Sequence, residues 1–520
     1  MTTARPSQRP RVIAIAAYIG ICGVLLGCAL ALNSGTFTYT LDDPYIHLSL
    51  ARNILHGSYG MNSGEFAAPA SSIIWPVLIA PFTTLPIGVY APLILSMASA
   101  IGSISLLARM FAEAFGRVEA RYTQATQAIL LIWLMVTANL IGLTFTGMEH
   151  NAQICCTLLT LRGLLIERER RMVPWWLCAA IILAPLLRYE CLVLSGLAII
   201  YLLWRRHVGQ AALCVGVIVV VMGAFTAMLA SHGVGLLPSS VISKSSAYGT
   251  SVGDFLGSRL QKIFFSQPGL VLLACIAAML LRTRPTLQPV AWIMAAATAI
   301  HLLFGRTAGY PRYEMYLLAS DCAFLIIAHP ERIMSIVERV RPILASITLV
   351  MIAPLVSVTS LIATVEMPIG SNNVYEQQFQ MARFVADYYR APVAVNDIGL
   401  VTWGGKQPVL DLWGLASYPA LQLRLGDTPD PIWMEQIAQQ HDVHLAMIYS
   451  YWFKGVPPSW VPLGTLRMSR FEATVTDKVT FYATDEATAQ RVRAMLPQFV
   501  ATLPPAVRFE PPADTPPNEP

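Results

Sequence analysis

The stretch VIAIAAYIGICGVLLGCALAL, residues 12–32, decides the fold, because no charged side chain interrupts it. It reaches the about 20 residues that a helix needs to cross the hydrocarbon core of a bilayer. Its last residues, Ala29-Leu30-Ala31, imitate a signal-peptidase site, so a cleaved signal peptide is the alternative. The run is longer than the about 7–15 residues of a signal core, and we therefore predict a retained anchor after a basic cytoplasmic tail, residues 1–11.

The composition of the whole chain agrees with a membrane protein. Of its 520 residues, 55% are hydrophobic and 12% are charged, whereas an ordinary soluble domain carries about 25% charge. The net charge of +5 comes from arginines in short clusters between apolar runs, which indicates topology signals and no nucleic-acid partner. The nine cysteines all precede residue 330 and form no disulfide or zinc pattern.

Apolar runs and arginine clusters alternate regularly up to residue 363. The runs cover residues 12–32, 72–108, 124–145, 151–166, 174–187, 191–204, 210–231, 268–281, 288–304, 314–328 and 342–363. The clusters are Arg109/Arg117/Arg121, Arg168/Arg170/Arg171, Arg205/Arg206, Arg282/Arg284 and Arg332/Arg339/Arg341. Two runs separate each cluster from the next, so every cluster can face the cytoplasm.

This parity predicts about eleven transmembrane helices in a module of residues 12–365. It requires the run 72–108 to cross the membrane once; four prolines interrupt its first half, which we expect to lie along the interface before a span at about 90–108. Loops 33–71 and 232–267, and all residues after 364, then lie outside the cytoplasm. We predict a multi-pass protein of the inner (plasma) membrane.

A change of composition at about residue 366 predicts a second domain. A helix-like stretch, 376–389, precedes strand-like runs at 393–395, 409–412, 445–449 and 479–482. We predict an extracytoplasmic α/β domain over residues 366–503. The tail 504–520 is rich in proline and is predicted to be disordered.

The segment DDPYIHLSLARNILHG, residues 42–57, follows the first span on the outer side. Asp43 can cap a helix that has Pro44 at its first position, and Gly57 can end it. Such an interfacial helix explains Asp43 structurally but leaves Asp42 without a capping role. Asp42 and Asp43 are thus the first candidates for a site at the outer surface.

Several segments in order resemble the GT-C superfamily of membrane glycosyltransferases, whose members include arabinofuranosyltransferases and protein O-mannosyltransferases. These segments are the Asp-Asp pair after the first span, GEFAAPASSIIWP (64–76), TGMEH (146–150), LLPSSVISK (236–244), YPRYEMYL (310–317) and NDIGLVTWGGKQPVLDLWGL (396–415). The resemblance covers about residues 12–420. Pro44, Ser239 and His150 depart from the commoner residues of the family pattern.

The resemblance implies a reaction in which an acceptor hydroxyl displaces a polyprenyl phosphate from the anomeric carbon of a sugar, with inversion. A carboxylate would take the hydroxyl proton, and Asp42 is the candidate for this base. Asp43 and Glu149 would orient sugar or acceptor hydroxyls. The cations that would hold the donor phosphate are Lys244, Arg312 and Arg188.

Other readings of these residues stay open. Arg188 can equally form an ion pair with Glu190 within the protein. His150, with Glu149 and with Glu65 or Asp42, could hold a divalent metal, the one cofactor considered, although a lone histidine is more often a structural residue.

The expected partners are the lipid bilayer, a polyprenyl-phosphate-linked sugar donor and an acceptor that is an envelope glycan, a glycolipid or a protein. A transporter or flippase of a lipid-linked saccharide is the alternative function, but the inverted repeats typical of transporters are not visible in the sequence. A non-catalytic scaffold with the same fold is the other alternative.

Overall fold

The computed structural model describes residues 8–116, 118, 122–235, 238–239, 252–306, 310–340, 356–426, 431–470 and 476–512. A helical module is followed by a smaller α/β domain. The helices of the module are α1 (Arg9–Leu32), α2 (Asp43–Ile54), α3 (Trp75–Ile79), α4 (Ala91–Phe115), α5 (Thr123–Thr137), α6 (Leu140–Phe145), α7 (His150–Arg170), α8 (Trp175–Leu187), α9 (Leu192–Trp204), α10 (Val208–Ser231), α11 (Val252–Phe264), α12 (Gln267–Arg282), α13 (Gln288–Phe304), α14 (Met315–Ala328), α15 (Pro330–Val340) and α16 (Val356–Val365).

Among the described residues, three helices are long and apolar enough to cross a membrane: Arg9–Leu32, Gly88–Phe115 and Val208–Ser231. Helices α11 and α12 make a fourth candidate as a pair bent by 84°. Only 22% of the apolar segment of α1 and 17% of that of α10 is buried inside the protein. Most of their apolar surface is therefore expected to contact lipid. The chain is therefore an integral membrane protein. Its other apolar helices are shorter, and the number eleven stays a prediction.

The run 72–108 contains one long helix after a broken first half, and its position relative to the membrane stays a prediction. Helix α3 and two short 3-10 turns, Ala80–Phe82 and Gly88–Tyr90, cover its proline-rich first half, and α4 then runs without a break. The prediction for 124–145 is less accurate, because Asn139 has a left-handed φ of 52° and separates α5 from α6. The Asn139 side chain donates to the carbonyl of Pro311 at 2.9 Å and so ties this break to the segment before α14. Most of the last predicted span, 342–363, lies outside the described residues.

The α/β domain contains a six-stranded sheet in the order β2-β1-β3-β5-β4-β6. The strands are β1 (Val393–Val395), β2 (Val409–Asp411), β3 (Leu445–Ile448), β4 (Val461–Arg467), β5 (Lys478–Ala483) and β6 (Arg508–Glu510). Strand β1 is parallel to β2 and β3, and the remaining pairs are antiparallel. Its helices are α17 (Met367–Glu376), α18 (Gln378–Arg383), which continues as a π-helix over Phe384–Tyr389, α19 (Gly399–Gly405), α20 (Tyr418–Leu425), α21 (Ile432–Gln440) and α22 (Glu486–Val500).

Two strands were not predicted, and one of them corrects a domain boundary. Strand β4 contains Pro462 and a bulge near Gly464, which hide its alternating pattern. Strand β6 pairs with β4 in the segment that we predicted to be disordered, so the domain reaches at least Glu510 instead of ending at 503. Residues 513–520 of the predicted tail lie outside the described residues.

Helix α2 lies between the two parts of the molecule. Tyr45, Leu48 and Ala51 pack into the core of the membrane module, whereas Ile46 and Leu50 pack into the core of the α/β domain. An amphipathic helix at an interface with water would leave one of these faces exposed. The second core explains why α2 is buried on both sides, and it brings the α/β domain close to the Asp-Asp pair.

Candidate active site

Asp43 and Arg312 form an ion pair near the start of α2. The Asp43 Oδ2 atom lies 2.7 Å from an Nη atom of Arg312, and the side chains are 39% and 17% exposed. Asp43 is the first residue of α2, where the helix dipole favours a negative charge. Two predicted site residues that are far apart in the sequence therefore meet in a position that a solvent molecule or a ligand can reach.

The ring of Tyr313 is surrounded by three guanidinium groups. The central carbon atoms of Arg312, Arg188 and Arg306 lie 4.9, 5.2 and 5.2 Å from its centroid. The negative face of an aromatic ring attracts such cations and holds them in place. Arg306 is exposed, Arg312 is partly buried and Arg188 is 2% exposed, so the cluster extends from the surface into the protein. We call Tyr313 and these three residues the arginine cluster.

Arg188 is already occupied by carboxylates of the protein. Its guanidinium makes two hydrogen bonds to Glu190, at 2.9 and 3.2 Å, and one to Glu149 at 2.8 Å. Glu149 is fully buried, and His47 of α2 lies 3.5 Å from its other oxygen. Arg188 and Glu149 thus connect the outer loop, α2 and the break between α8 and α9. This arrangement supports the structural reading of Arg188 that the sequence left open.

Asp42 has a capping role that the sequence did not predict. Its two carboxylate oxygens accept hydrogen bonds from the backbone N–H groups of Gly399, at 2.5 Å, and Leu400, at 2.8 Å. These groups begin α19, where unsatisfied N–H donors favour a carboxylate. A Cβ atom on Gly399 would lie within about 3 Å of the Asp42 carboxylate, so a glycine is required there.

The sequence-based assignment of the cap is therefore wrong in two respects. Asp42, and not Asp43, occupies the N-cap position of α2, and its side chain caps a helix of the other domain. A contact over more than 350 positions has no local signal in the sequence, which is why Asp42 seemed to lack a structural role.

Asp397 lies beside Asp42 and has polar partners of its own. Gln378 donates to its Oδ2 atom at 2.7 Å and the Tyr449 hydroxyl at 2.9 Å. Burial raises the pKa of Asp42 well above its usual range, and the nearby Asp397 carboxylate raises it further. Burial also raises the pKa of Asp397. Two carboxyl groups in such a site are expected to share a proton.

The remaining predicted site residues are placed as follows. Glu65 is exposed and accepts a hydrogen bond from Asn62 at 2.8 Å. His150 is buried at the start of α7, and its ring contacts Gln153 and Tyr313. Lys244 lies outside the described residues. In the part of the chain that the structure describes, no three His, Cys, Asp or Glu side chains are arranged to hold a metal ion, so the predicted metal set of Glu149, His150 and Glu65 or Asp42 does not assemble.

Sequence reasoning missed Asp397, Tyr313 and Arg306 as members of these clusters. The first two fall within the quoted segments 396–415 and 310–317, so their motifs were recognised but their partners were not. Asp411, from the same motif as Asp397, only closes a turn by accepting the N–H groups of Trp413, Gly414 and Ala416.

Comparisons with known proteins give one family match and several similar structures. Residues 372–482 match a family described as a domain of unknown function (DUF8728). No curated protein sequence matches the chain significantly. The crystal structure of ArnT from Cupriavidus metallidurans bound to undecaprenyl phosphate is similar over 92% of this chain and 99% of that chain, with a TM-score of 0.53 and 10% identity.

The apo structure of the same ArnT gives a TM-score of 0.52, 11% identity and coverage of 92% and 98%. The Archaeoglobus fulgidus oligosaccharyltransferase in complex with Zn and sulfate gives 0.44, 10% identity and coverage of 94% and 74%. At such low identity the ArnT similarity shows the fold, and it does so over nearly the full length of both chains. The predicted architecture is confirmed: this chain has the GT-C fold, with a C-terminal α/β domain.

Proposed function

We propose that this protein is a glycosyltransferase that moves a sugar from a polyprenyl-phosphate donor to an acceptor hydroxyl on the extracytoplasmic face. The observation that carries the proposal is the accessible ion pair of Asp43 and Arg312 beside the arginine cluster. A base and a phosphate ligand are the two groups that this displacement needs. The undecaprenyl phosphate bound to the structurally similar ArnT supports the choice of donor.

In the proposed reaction, Asp43 is the general base. The acceptor oxygen forms a bond to the anomeric carbon while its proton passes to the Asp43 carboxylate. The bond from the anomeric carbon to the phosphate oxygen breaks, and its electron pair leaves with the polyprenyl phosphate. One direct displacement inverts the anomeric centre.

Arg312 connects donor binding to the action of the base. An Nη atom of Arg312 donates to Oδ2 of Asp43 at 2.7 Å. A donor phosphate beside Tyr313 would compete for the same guanidinium, which suits bidentate contact with phosphate oxygens. The competition releases Oδ2 to accept the hydroxyl proton once the donor is in place.

Asp43 is preferred to Asp42 as the base because of their different surroundings. Both oxygens of Asp42 already accept backbone N–H groups, and the residue is buried, whereas the side chain of Asp43 is 39% exposed. Asp42 then serves to position α19 against α2. Glu149 is proposed to hold Arg188 and the outer loop in register.

The test compares Asp43→Asn with Asp42→Asn in a purified assay with a polyprenyl-phosphate sugar in proteoliposomes. Asp43→Asn keeps the size of the side chain and is expected to lower turnover by about 10²–10⁴-fold with the donor still bound. Asp42→Asn is expected to act mainly on stability. The melting temperature should fall, whereas the turnover of the folded fraction should change little. An inactive, folded Asp42→Asn beside a normal Asp43→Asn would exchange the two roles. Full activity of both variants would remove the carboxylate base from the mechanism.

A further inference from the structure

A pocket lies apart from the arginine cluster, where three segments of the chain meet. Its walls come from the outer loop after α2 (Asn62, Glu65, Phe66), from the residues that follow α10 (His232–Val234) and from the edge of the α/β domain (Pro408–Asp411, Ala416–Pro419). Its volume is about 350 Å³, within the about 300–1,000 Å³ of small-molecule sites. One wall directly follows α10, a helix that is long and apolar enough to cross a membrane.

The walls of this pocket are held in place by specific contacts. Asn62 bonds to both the N–H and the carbonyl of Val409, at 2.9 and 3.0 Å, and thereby attaches the outer loop to the edge strand β2. The same Asn62 side chain donates to the Glu65 carboxylate at 2.8 Å. Glu65 is therefore positioned, although it is exposed.

Two aromatic surfaces are fixed as well. The rings of Phe66 and His232 are stacked at 3.5 Å with an interplanar angle of 13°. On the other side, Gly235 has a φ of +86°, and a Cβ atom there would lie 3.1 Å from the Tyr418 ring. Only a glycine lets this chain segment pass so close to Tyr418. The pocket thus has rigid aromatic faces in addition to its polar groups.

The chemistry of the lining differs from that of the arginine cluster. The lining residues include the aromatic residues Phe66 and Tyr418, the acid Glu65 and the histidines His232 and His441. No lysine or arginine is present among the described lining residues, and Glu65 is the exposed acid of the lining, because Asp411 is buried and its oxygens accept backbone N–H groups. Such a pocket disfavours phosphate and carboxylate ligands. It suits a neutral ring that has an apolar face and hydroxyl groups at its edge.

We infer that this pocket binds a neutral saccharide, the sugar part of the acceptor. The role as acceptor rests on the proposed function, whereas saccharide binding itself does not. The two substrates would therefore bind at different places. The anionic end of the donor binds at the arginines, and the uncharged glycan binds in the pocket lined by aromatic and carboxylate groups.

The experiment is saturation-transfer NMR on the full chain in lipid nanodiscs, without any donor. The probes are the methyl glycosides of glucose, mannose and arabinofuranose, with glucuronate as the anionic counterpart. We expect at least one neutral glycoside to bind and glucuronate to bind more weakly. Phe66→Ala should weaken binding about three- to tenfold, the usual range for an aromatic contact. Glu65→Gln should reduce the preference over glucuronate.

Glu486→Gln is the control for Glu65→Gln. Glu486 is an exposed carboxylate of the α/β domain that pairs with Arg493, and its replacement should leave binding unchanged. Absence of binding by all neutral glycosides, or binding that Phe66→Ala and Glu65→Gln leave intact, would overturn the inference. If the wild-type protein binds a neutral glycoside through this pocket but transfers no sugar, the result counts against the proposed function alone.

Discussion

Two polar clusters begin at adjacent residues of the chain, and the groups that pair with their carboxylates differ. Asp43 starts a cluster in which carboxylates and guanidinium groups alternate, from Arg312 through Arg188 to Glu149. Asp42 starts a cluster with two carboxyl groups, in which N–H and O–H donors of Leu400, Gln378 and Tyr449 are the stabilising partners. One residue of separation on α2 is enough to direct the two side chains to different parts of the molecule.

The difference indicates which cluster can handle an anionic ligand. In the Asp43 cluster, a ligand phosphate can replace a protein carboxylate beside an arginine with little change in the local charge balance. In the Asp42 cluster, an added anion would meet two acidic groups that form no ion pair with a cation in the part of the chain that the structure describes. We therefore assign chemistry to the first and the docking of the α/β domain to the second.

The largest effect is expected when the charge balance of the Asp43 cluster is broken at its buried end. Arg188→Gln leaves Glu149 fully buried without its main cation, and losses of this kind are about 3–5 kcal/mol. Thermal denaturation of purified protein in detergent should show a large decrease in melting temperature and in the yield of folded protein. Arg493→Gln, which removes an exposed ion pair, is the control and should have little effect.

If Arg188→Gln folds normally and only donor binding is lost, Arg188 is a ligand for the phosphate and its ion pairs are secondary. That result would extend the proposed donor site into the interior of the module. It would also restore the first of the two readings that the sequence allowed.

A smaller effect is expected at the surface end of the same cluster. Arg306 is exposed and close to Tyr313, so Arg306→Gln should weaken binding of a polyprenyl phosphate about tenfold or less, with the melting temperature unchanged. Arg312→Gln should weaken it more, because Arg312 is partly buried and its charge is less screened by solvent. Titration with undecaprenyl phosphate measures both. An unchanged affinity in both variants would place the phosphate elsewhere.

The sequence predicted the general architecture because that architecture depends on local patterns. Apolar runs predicted α1 and α10 within a few residues, and β1 was predicted with its exact bounds because three consecutive apolar, mostly β-branched residues follow a proline. Strand β4 was missed because Pro462 and Gly464 are unusual in strands. Helices and strands with regular local patterns were thus predicted correctly, and a strand whose residues deviate from the usual pattern was missed.

The sequence named candidate site residues, but it did not indicate which of them contact each other. Asp43 and Arg312 were both named, but nothing local indicates that they form a pair over 269 positions. The sequence predicts Asp42 as the base because no local capping role accounts for it, whereas its hydrogen-bond partners, Gly399 and Leu400, belong to the other domain. Roles that depend on contacts between domains require the fold.

A further prediction concerns the pH dependence of stability and tests the Asp42 cluster. Because burial raises the pKa of Asp42 and Asp397 in the folded state, the folded protein binds protons more tightly than the unfolded chain. Stability from this pair is thus fully present below about pH 4, the usual pKa of an aspartate, and is lost as the pH rises toward the raised values. The slope is at most about 1.4 kcal/mol per pH unit for one proton.

Asp397→Asn should make this slope shallower, since an amide can donate to Asp42 and still accept from Gln378 and Tyr449. Melting temperatures of the wild type and the variant, measured in detergent between pH 4.5 and pH 7.5, give the comparison. The exposed Asp387→Asn variant should follow the wild type. If Asp397→Asn and the wild type lose stability in parallel as the pH rises, the two carboxyl groups do not share a proton. The protonation of the Asp42 cluster would then give no support to the division of roles between the two clusters.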